Sequence, residues 1–386
     1  MIEYRQGILE DLQGYICIPL MDEDFPIDLL TQLAGQMDNH ALLVHINANE
    51  GVADIIQERH AILFEAIVNW LKGTNLAAFI CMENAWPIKI SGVGNARKYI
   101  MDLAADWGTP NSWIAGLDAD CMVANNYLTS LDKYFAGGNK AGASIRFEHV
   151  LPKEQAMINA ITYYEIHLRY LKLGLQYAGF PFYFHTVGSS MVVSVWAYKK
   201  CGGMNKRKAG EDFYFLQKVM LLGFGEITDT LVLPSARLSY RVPFGTGRAM
   251  QAFMAGNKVQ FYPMSAILEL REVMVCINAA MSNRLGTGLE WSHKLSDVSL
   301  KYLEAKQLGL KWNRISTNAK TIDVRNRNFL QLLSGNVMLL LLNELRTVMP
   351  LVVNYKKEVN TLFEAINQPY SHNLLLSLRQ AELVYS

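Results

Sequence analysis

The chain has 386 residues, 51% hydrophobic and 18% charged, enough to bury a sizeable core in two or three domains. Its 36 Lys and Arg offset 35 Asp and Glu to a formal charge of +1, which provides no global field for nucleic acid. Five scattered cysteines (Cys17, Cys81, Cys121, Cys201, Cys276) are odd in number and sit mostly in apolar segments, which argues against a disulfide framework or zinc site and for buried thiols in a reducing compartment.

In chain order, apolar runs at 15–20, 41–46, 77–82 and 112–117 read as strands, separated by helical patterns of which 52–71 is the longest. The clearest is 93–107, where Val93, Ala96, Ile100, Leu103, Ala104 and Trp107 fall on one face. Strands alternating with helices predict an α/β fold built on a mixed, mostly parallel sheet flanked by helices. A mixed block follows: a strand at 141–147, a helix at 153–177, a short strand at 191–195, a helix at 211–222 and a strand at 226–233. Beyond Gly256 the composition shifts to Leu, Met, Asn and Lys at helical spacing, predicting a helical C-terminal extension with a core-facing helix pair at 336–353.

The stretch WIAGLDADC (113–121) runs a buried strand into Asp118 and Asp120. Acid groups at the carboxyl edge of a sheet lie where open α/β folds bind ligands. Two carboxylates so close repel unless a cation sits between them, and hard ions such as Mn²⁺ or Mg²⁺ take oxygen ligands and share themselves with phosphates. The spacing alone is weak evidence, since about one such pair arises by chance in a chain this long. Asp22 and Asp24 form a second pair, for which a polar turn suffices. Context separates the two. In SGVGNARKYI, Gly92 and Gly94 open the clearest helix, and Arg97 can pair with phosphate oxygens. Further on, Gly210, Glu211 and Asp212 begin another helix, where acids are also favoured by the macrodipole.

IPLMDED at the first strand end, GVGNARKYIMDLA, LDADC, HTVGSSM, CGGM and GED occur in an order that resembles the family 2 glycosyltransferases of the nucleotide-sugar-binding GT-A type. The resemblance spans residues 12–245 and implies a GT-A domain over 1–256, with a donor half at 1–140, an acceptor half at 141–256 and a helical region at 257–386. It implies a nucleotide-sugar donor, with UDP the favoured carrier, and a glycan, glycolipid or other hydroxyl acceptor. Pro19, Leu20, Glu23, Asn47, Arg97, Asp118, Ala119, Asp120, Gly188, Arg241 and Arg248 would then bind the donor. Asp120 and Asp118 would ligate Mn²⁺ or Mg²⁺, Asp212 would act as general base, and Glu211 would orient it or bind the acceptor. Inversion is expected, with a retaining transferase or a non-catalytic sugar-nucleotide-binding or assembly protein as alternatives.

Two departures from the family stand out. Where many relatives carry a metal-binding His after the last core strand, this chain has Ser239 and Tyr240, so fewer protein ligands are expected. The Q-x-x-R-W pattern of processive synthases is also missing. Instead, Arg241, Gly245, Gly247 and Arg248 suggest a basic loop able to close over the diphosphate. The N-terminus lacks the basic-then-apolar order of a signal peptide, and the longest apolar run, 337–342, is too short to span a bilayer. A cytoplasmic protein is expected, with peripheral membrane contact left open.

Overall fold

The computed structural model describes the chain except for residues 90, 206–209, 240–244, 284–287, 334 and 386. Two compact units emerge: residues 1–158 with 186–251, and residues 159–185 with 252–386.

The first unit is built on β1 (Ile2–Gln6), β2 (Gly14–Leu20), α1 (Ile27–Ala34), β3 (His40–Asn49), α2 (Asp54–Lys72), β4 (Ala77–Trp86), α3 (Val93–Trp107) and β5 (Trp113–Gly116). The chain continues through β6 (Met122–Val123), α4 (Tyr127–Phe135), β7 (Gly142–Phe147) and the long α5 (Gln155–Tyr177), most of which belongs to the second unit. Back in the first unit follow β8 (Met191–Ser194), α6 (Val195–Lys200), α7 (Glu211–Met220), β9 (Phe224–Leu233) and α8 (Thr246–Met254), whose last residues pass into the second.

Among the described residues, nine strands form one mixed sheet in the order β1-β4-β3-β2-β5-β8-β7-β9-β6. Its parallel heart is β4-β3-β2-β5, and β8 runs antiparallel to both β5 and β7. Every residue of β2 is buried, which is why that strand reads as an unbroken apolar run. Tyr15, Cys17, Leu43, Phe79 and Ile114 pack with Ile100, Met101 and Ala104 of α3 and with Phe215, Leu216 and Val219 of α7. Ile16, Ile18, Leu42 and Val44, alternating with these, are also buried. All five cysteines are free thiols, and Cys17, Cys81 and Cys121 are buried.

Three features of this unit differ from the sequence expectation. β1 pairs antiparallel with β4 as an edge strand, and its largely exposed residues give no apolar run. Between Asp120 and α4 lies the two-residue β6, for which the sequence gives no strand signal, and it pairs antiparallel with β9, Met122 opposite Leu233. α1, with Leu29, Leu30 and Leu33 buried, lies in a stretch for which the sequence reading assigned no helix.

The second unit is helical: α5 from residue 159, then α9 (Met264–Ser282), α10 (Asp297–Ala305), α11 (Leu308–Asn318), α12 (Ile322–Leu332), α13 (Gly335–Val348), α14 (Tyr355–Ala365) and α15 (Leu374–Val384). α9 packs against α12, α13 and α14. The helix pair expected at 336–353 is the single helix α13, which ends before Pro350. Tyr163 and Tyr170 of α5 belong to this core: their hydroxyls donate to the carbonyls of Val259 and Tyr262 at 2.8 and 2.9 Å. His185 lies here too and pairs with Glu382 at 2.7 Å. Burial works against the Glu382 charge, but His185 and Arg169 hold its carboxyl down to about 2. No helix among the described residues is long and apolar enough to cross a membrane.

Candidate active site at a strand switch point

β2 is flanked by β3 on one side and β5 on the other, both parallel to it. The chain steps outward from β2 to β3 and β4, then crosses back to β5. That reversal falls at the carboxyl ends of β2 and β5, the general ligand position of open α/β sheets. Glu23 follows β2, and Asp118 and Asp120 follow β5.

Arg97 organises this cluster. It sits at i+4 from Val93 and i−3 from Ile100, on the apolar stripe of α3, and its side chain is only 3% exposed. That position is the sequence signal of a buried arginine. Its Nη1 donates to Glu211 Oε1 at 2.5 Å and its Nη2 to Asp118 Oδ1 at 2.7 Å. Burial disfavours the guanidinium charge, but Asp118, Glu211 and Asp212 outweigh it and hold the group protonated. The guanidinium expected to meet phosphate thus donates to two carboxylates, Asp118 and Glu211, and ties them together.

Gly188 makes room for that guanidinium. A Cβ there would lie 2.7 Å from Arg97 Nη1. An exposed arginine would swing aside, whereas this one is held by two carboxylates. Gly188→Ala should therefore destabilise the protein by about 1–3 kcal/mol, as overpacked core sites do. Chemical denaturation would show this, and a wild-type midpoint would mean that the guanidinium gives way freely.

Glu211 and Asp212 occupy the first turn of α7, after Gly210 in the left-handed region at φ 69°. Glu211 is buried against Arg97. Asp212 accepts a hydrogen bond from the Phe213 N–H at 2.7 Å. Burial, then the charge of Glu211, push its carboxyl up to about 6, with Arg97 opposing. A carboxylate poised there is ionised at neutral pH and basic enough to accept a proton.

Arg237, which the sequence reading did not single out, holds the other aspartate. It follows β9 in an irregular segment, donating from Nε to Asp120 Oδ2 at 2.5 Å and from Nη2 to Glu23 Oε1 at 2.6 Å. Burial and then the charge of Asp118 raise the Asp120 carboxyl above its ordinary value, while Arg237 pulls it down. The turn carrying Glu23 is fixed by His60, also missed: its Nε2 accepts from the Asp22 N–H at 2.9 Å and its Nδ1 meets Asn84 Oδ1 at 2.7 Å. Asp22 itself is left-handed at φ 49° and pairs with Arg59 at 2.5 Å, so the second D-x-D pair lies in a turn.

Other expected donor residues lie at varied distances from this cluster. Pro19 and Leu20 are buried in β2, pairing with His45 and Ile46 of β3. Asn47 is buried and donates from Nδ2 to the Leu20 carbonyl at 2.8 Å, pinning the end of β2. Ala119 is half-buried between the aspartates. Arg248 is exposed on α8 and reaches Gln251 Oε1 at 3.4 Å. Arg241 and Tyr240 lie outside the described residues, as does the first half of the expected closing loop, while Gly247 and Arg248 belong to α8.

No protein-family model matches the chain, and no curated protein sequence matches it. The solved structures to which it is similar include glycosyltransferases. TarS residues 1–349 from S. aureus, in complex with UDP-GlcNAc, aligns with a TM-score of 0.42 at 12% identity, over 83% of this chain and 91% of that one. The mannosyltransferase PcManGT from Pyrobaculum calidifontis, in complex with GDP-Man and Mn²⁺, aligns with a TM-score of 0.37 at 12% identity, over 97% and 88%. At TM-scores below 0.5, these likenesses establish neither the activity nor the ligands of this chain.

Proposed function

We propose that this protein transfers a sugar from a nucleoside-diphosphate sugar, with UDP the favoured carrier, to a hydroxyl of a glycan, glycolipid or similar acceptor. The GT-A reading assigns residues 1–140 to the donor and 141–256 to the acceptor, with residues 257–386 as a helical appendage. The observation that carries the proposal is the Arg97 bridge. One buried guanidinium ties Asp118, at the strand end on the proposed donor side, to Glu211 beside the candidate base Asp212.

The donor set fits a divalent cation such as Mn²⁺ or Mg²⁺. Asp118 and Asp120 supply hard oxygens, and the Arg237 guanidinium already stands as a positive charge between Asp120 and Glu23. Among the described residues, no three His, Cys, Asp or Glu side chains gather to hold a metal by themselves. Asp118 and Asp120 would therefore share the ion with diphosphate and water, as is usual for Mg²⁺. Such an ion supplies positive charge against the negative charge that builds on the departing diphosphate.

The chain's own residues do the rest. Arg97 holds Asp118 and Glu211 in register, so the donor and acceptor sides keep a fixed spacing. Asp212 takes the acceptor proton while the acceptor oxygen attacks the anomeric carbon and the bond to the diphosphate breaks. The product anomer is then inverted, which NMR of the released glycoside reads directly.

Binding tests the site. Asp120→Asn should abolish the Mn²⁺-dependent thermal stabilisation by UDP while leaving the ligand-free melting temperature nearly unchanged, because Asp120 lies at a strand end and not in the core. Undiminished stabilisation in the variant would reject Asp120 as a metal ligand. A wild-type chain that no nucleotide sugar stabilises, with Mn²⁺ or without, would reject the transfer proposal.

A further inference from the structure

Two arginines serve the acidic cluster in different ways. Arg97 is locked, with a side chain 3% exposed, whereas Arg237 is 40% exposed and pairs with Asp120 and Glu23. Among the described residues, the cluster combines five carboxylates (Glu23, Asp118, Asp120, Glu211, Asp212) with these two guanidiniums. Asp120 is 27% exposed and Glu23 13%, so solvent reaches both ends of the Arg237 bridge. A divalent cation approaching Asp120 would meet a positive charge already bound to Oδ2.

We infer that Arg237 is an internal counter-cation that occupies Asp120 until a divalent cation displaces it, and that it then turns to a diphosphate oxygen while Glu23 keeps its other end. The inference rests on the sugar-transfer proposal for its second half and on the geometry alone for its first. Arginine suits the exchange, since its planar fork binds a carboxylate or a phosphate oxygen with the same donors. Nothing is oxidised or transferred in the step. A guanidinium gives up one acceptor and gains another, and the vacated Asp120 carboxylate would be free to hold a divalent ion. Arg237 is thus a positioning residue that couples metal arrival to diphosphate binding.

The test uses the full chain as wild type, Arg237→Gln and Arg237→Lys. Mn²⁺ is titrated alone by EPR of the free ion at constant ionic strength, and UDP is then titrated at saturating Mn²⁺. Removing the competitor should tighten Mn²⁺ binding roughly tenfold in Arg237→Gln and weaken UDP binding roughly tenfold. A purely structural role would loosen both. Should the Gln variant fail to fold, the Lys variant decides: it keeps the charge but cannot bridge both carboxylates, so Mn²⁺ should bind more tightly by a smaller factor. Mn²⁺ affinity within twofold of wild type in the folded variant, looser binding, or no Mn²⁺ binding by any form would overturn the inference. Tighter Mn²⁺ binding in a protein whose wild type never binds UDP would uphold the metal exchange and sink the sugar-transfer proposal separately.

Discussion

Arg97→Met is expected to lower the free energy of unfolding by about 3–5 kcal/mol, the usual consequence of breaking a buried ion pair from one side. The methionine keeps much of the stem volume, so the effect is that of the lost charge. It leaves Glu211, 4% exposed, with its negative charge buried and unpaired. Asp118 contributes less, because at 43% exposure water can solvate it. The loss should show as a lower midpoint in urea, and adding Glu211→Gln to Arg97→Met should recover part of it, since the stranded charge is then gone. A loss below about 1 kcal/mol would mean that water reaches Glu211 and that the bridge is not a structural necessity. Arg97→Lys should rescue only partly, because an ammonium cannot span two carboxylates as a fork does.

Asp212→Asn should abolish most transfer, by roughly 10²–10⁴ in rate, while donor binding persists. The amide keeps an oxygen to accept from the Phe213 N–H but cannot take the acceptor proton. In the wild type the reactive form is the carboxylate, and burial has raised its pKa to about 6, so the rate should climb as pH rises through about 6 and level off above it. Stability runs the other way. A carboxyl raised in the folded state costs stability once ionised, so its contribution is fully present below the ordinary carboxylate range and is lost as pH rises through about 6. At pH 8 the Asn variant should then be at least as stable as wild type, which separates a lost base from a damaged fold. Turnover within a few-fold of wild type would remove Asp212 as the base and leave Glu211 as the candidate.

The sheet was legible because β2, β3, β4 and β5 are buried on both faces and spell near-continuous apolar runs. β1 lies at an edge with little burial, and β6 is two residues long, so neither leaves a periodic trace. In the candidate site, Asp118, Asp120, Glu211 and Asp212 were legible as acids at element boundaries. The partner of each was not. Arg97 carried a readable clue in its place on the apolar stripe of α3, while the phosphate role expected of it came from its charge, the glycine-opened start of that helix and the family resemblance. Arg237 carried none, since it lies in an irregular segment and its meaning depends on Glu23, 214 positions away. The strand pairings that bring such distant residues together are a tertiary property, invisible to any local window. Tyr163 and Tyr170 show the opposite case: core packing, the plainer use of aromatic residues on a long helix, is what the structure displays.

The span from Glu23 to Arg237 also has a meaning in time. At roughly 5–20 residues per second, a ribosome makes Arg237 about 10–40 s after Glu23. Parallel strands such as β2 and β5, whose partners lie about a hundred residues apart, must also close long loops before they pair. A nascent chain therefore carries Glu23, Asp118 and Asp120 for about 6 s or more before Arg237 exists, open meanwhile to whatever cations the cell supplies. The full constellation can appear only when the first unit is nearly complete, so no amino-terminal fragment ending before Arg237 can present it.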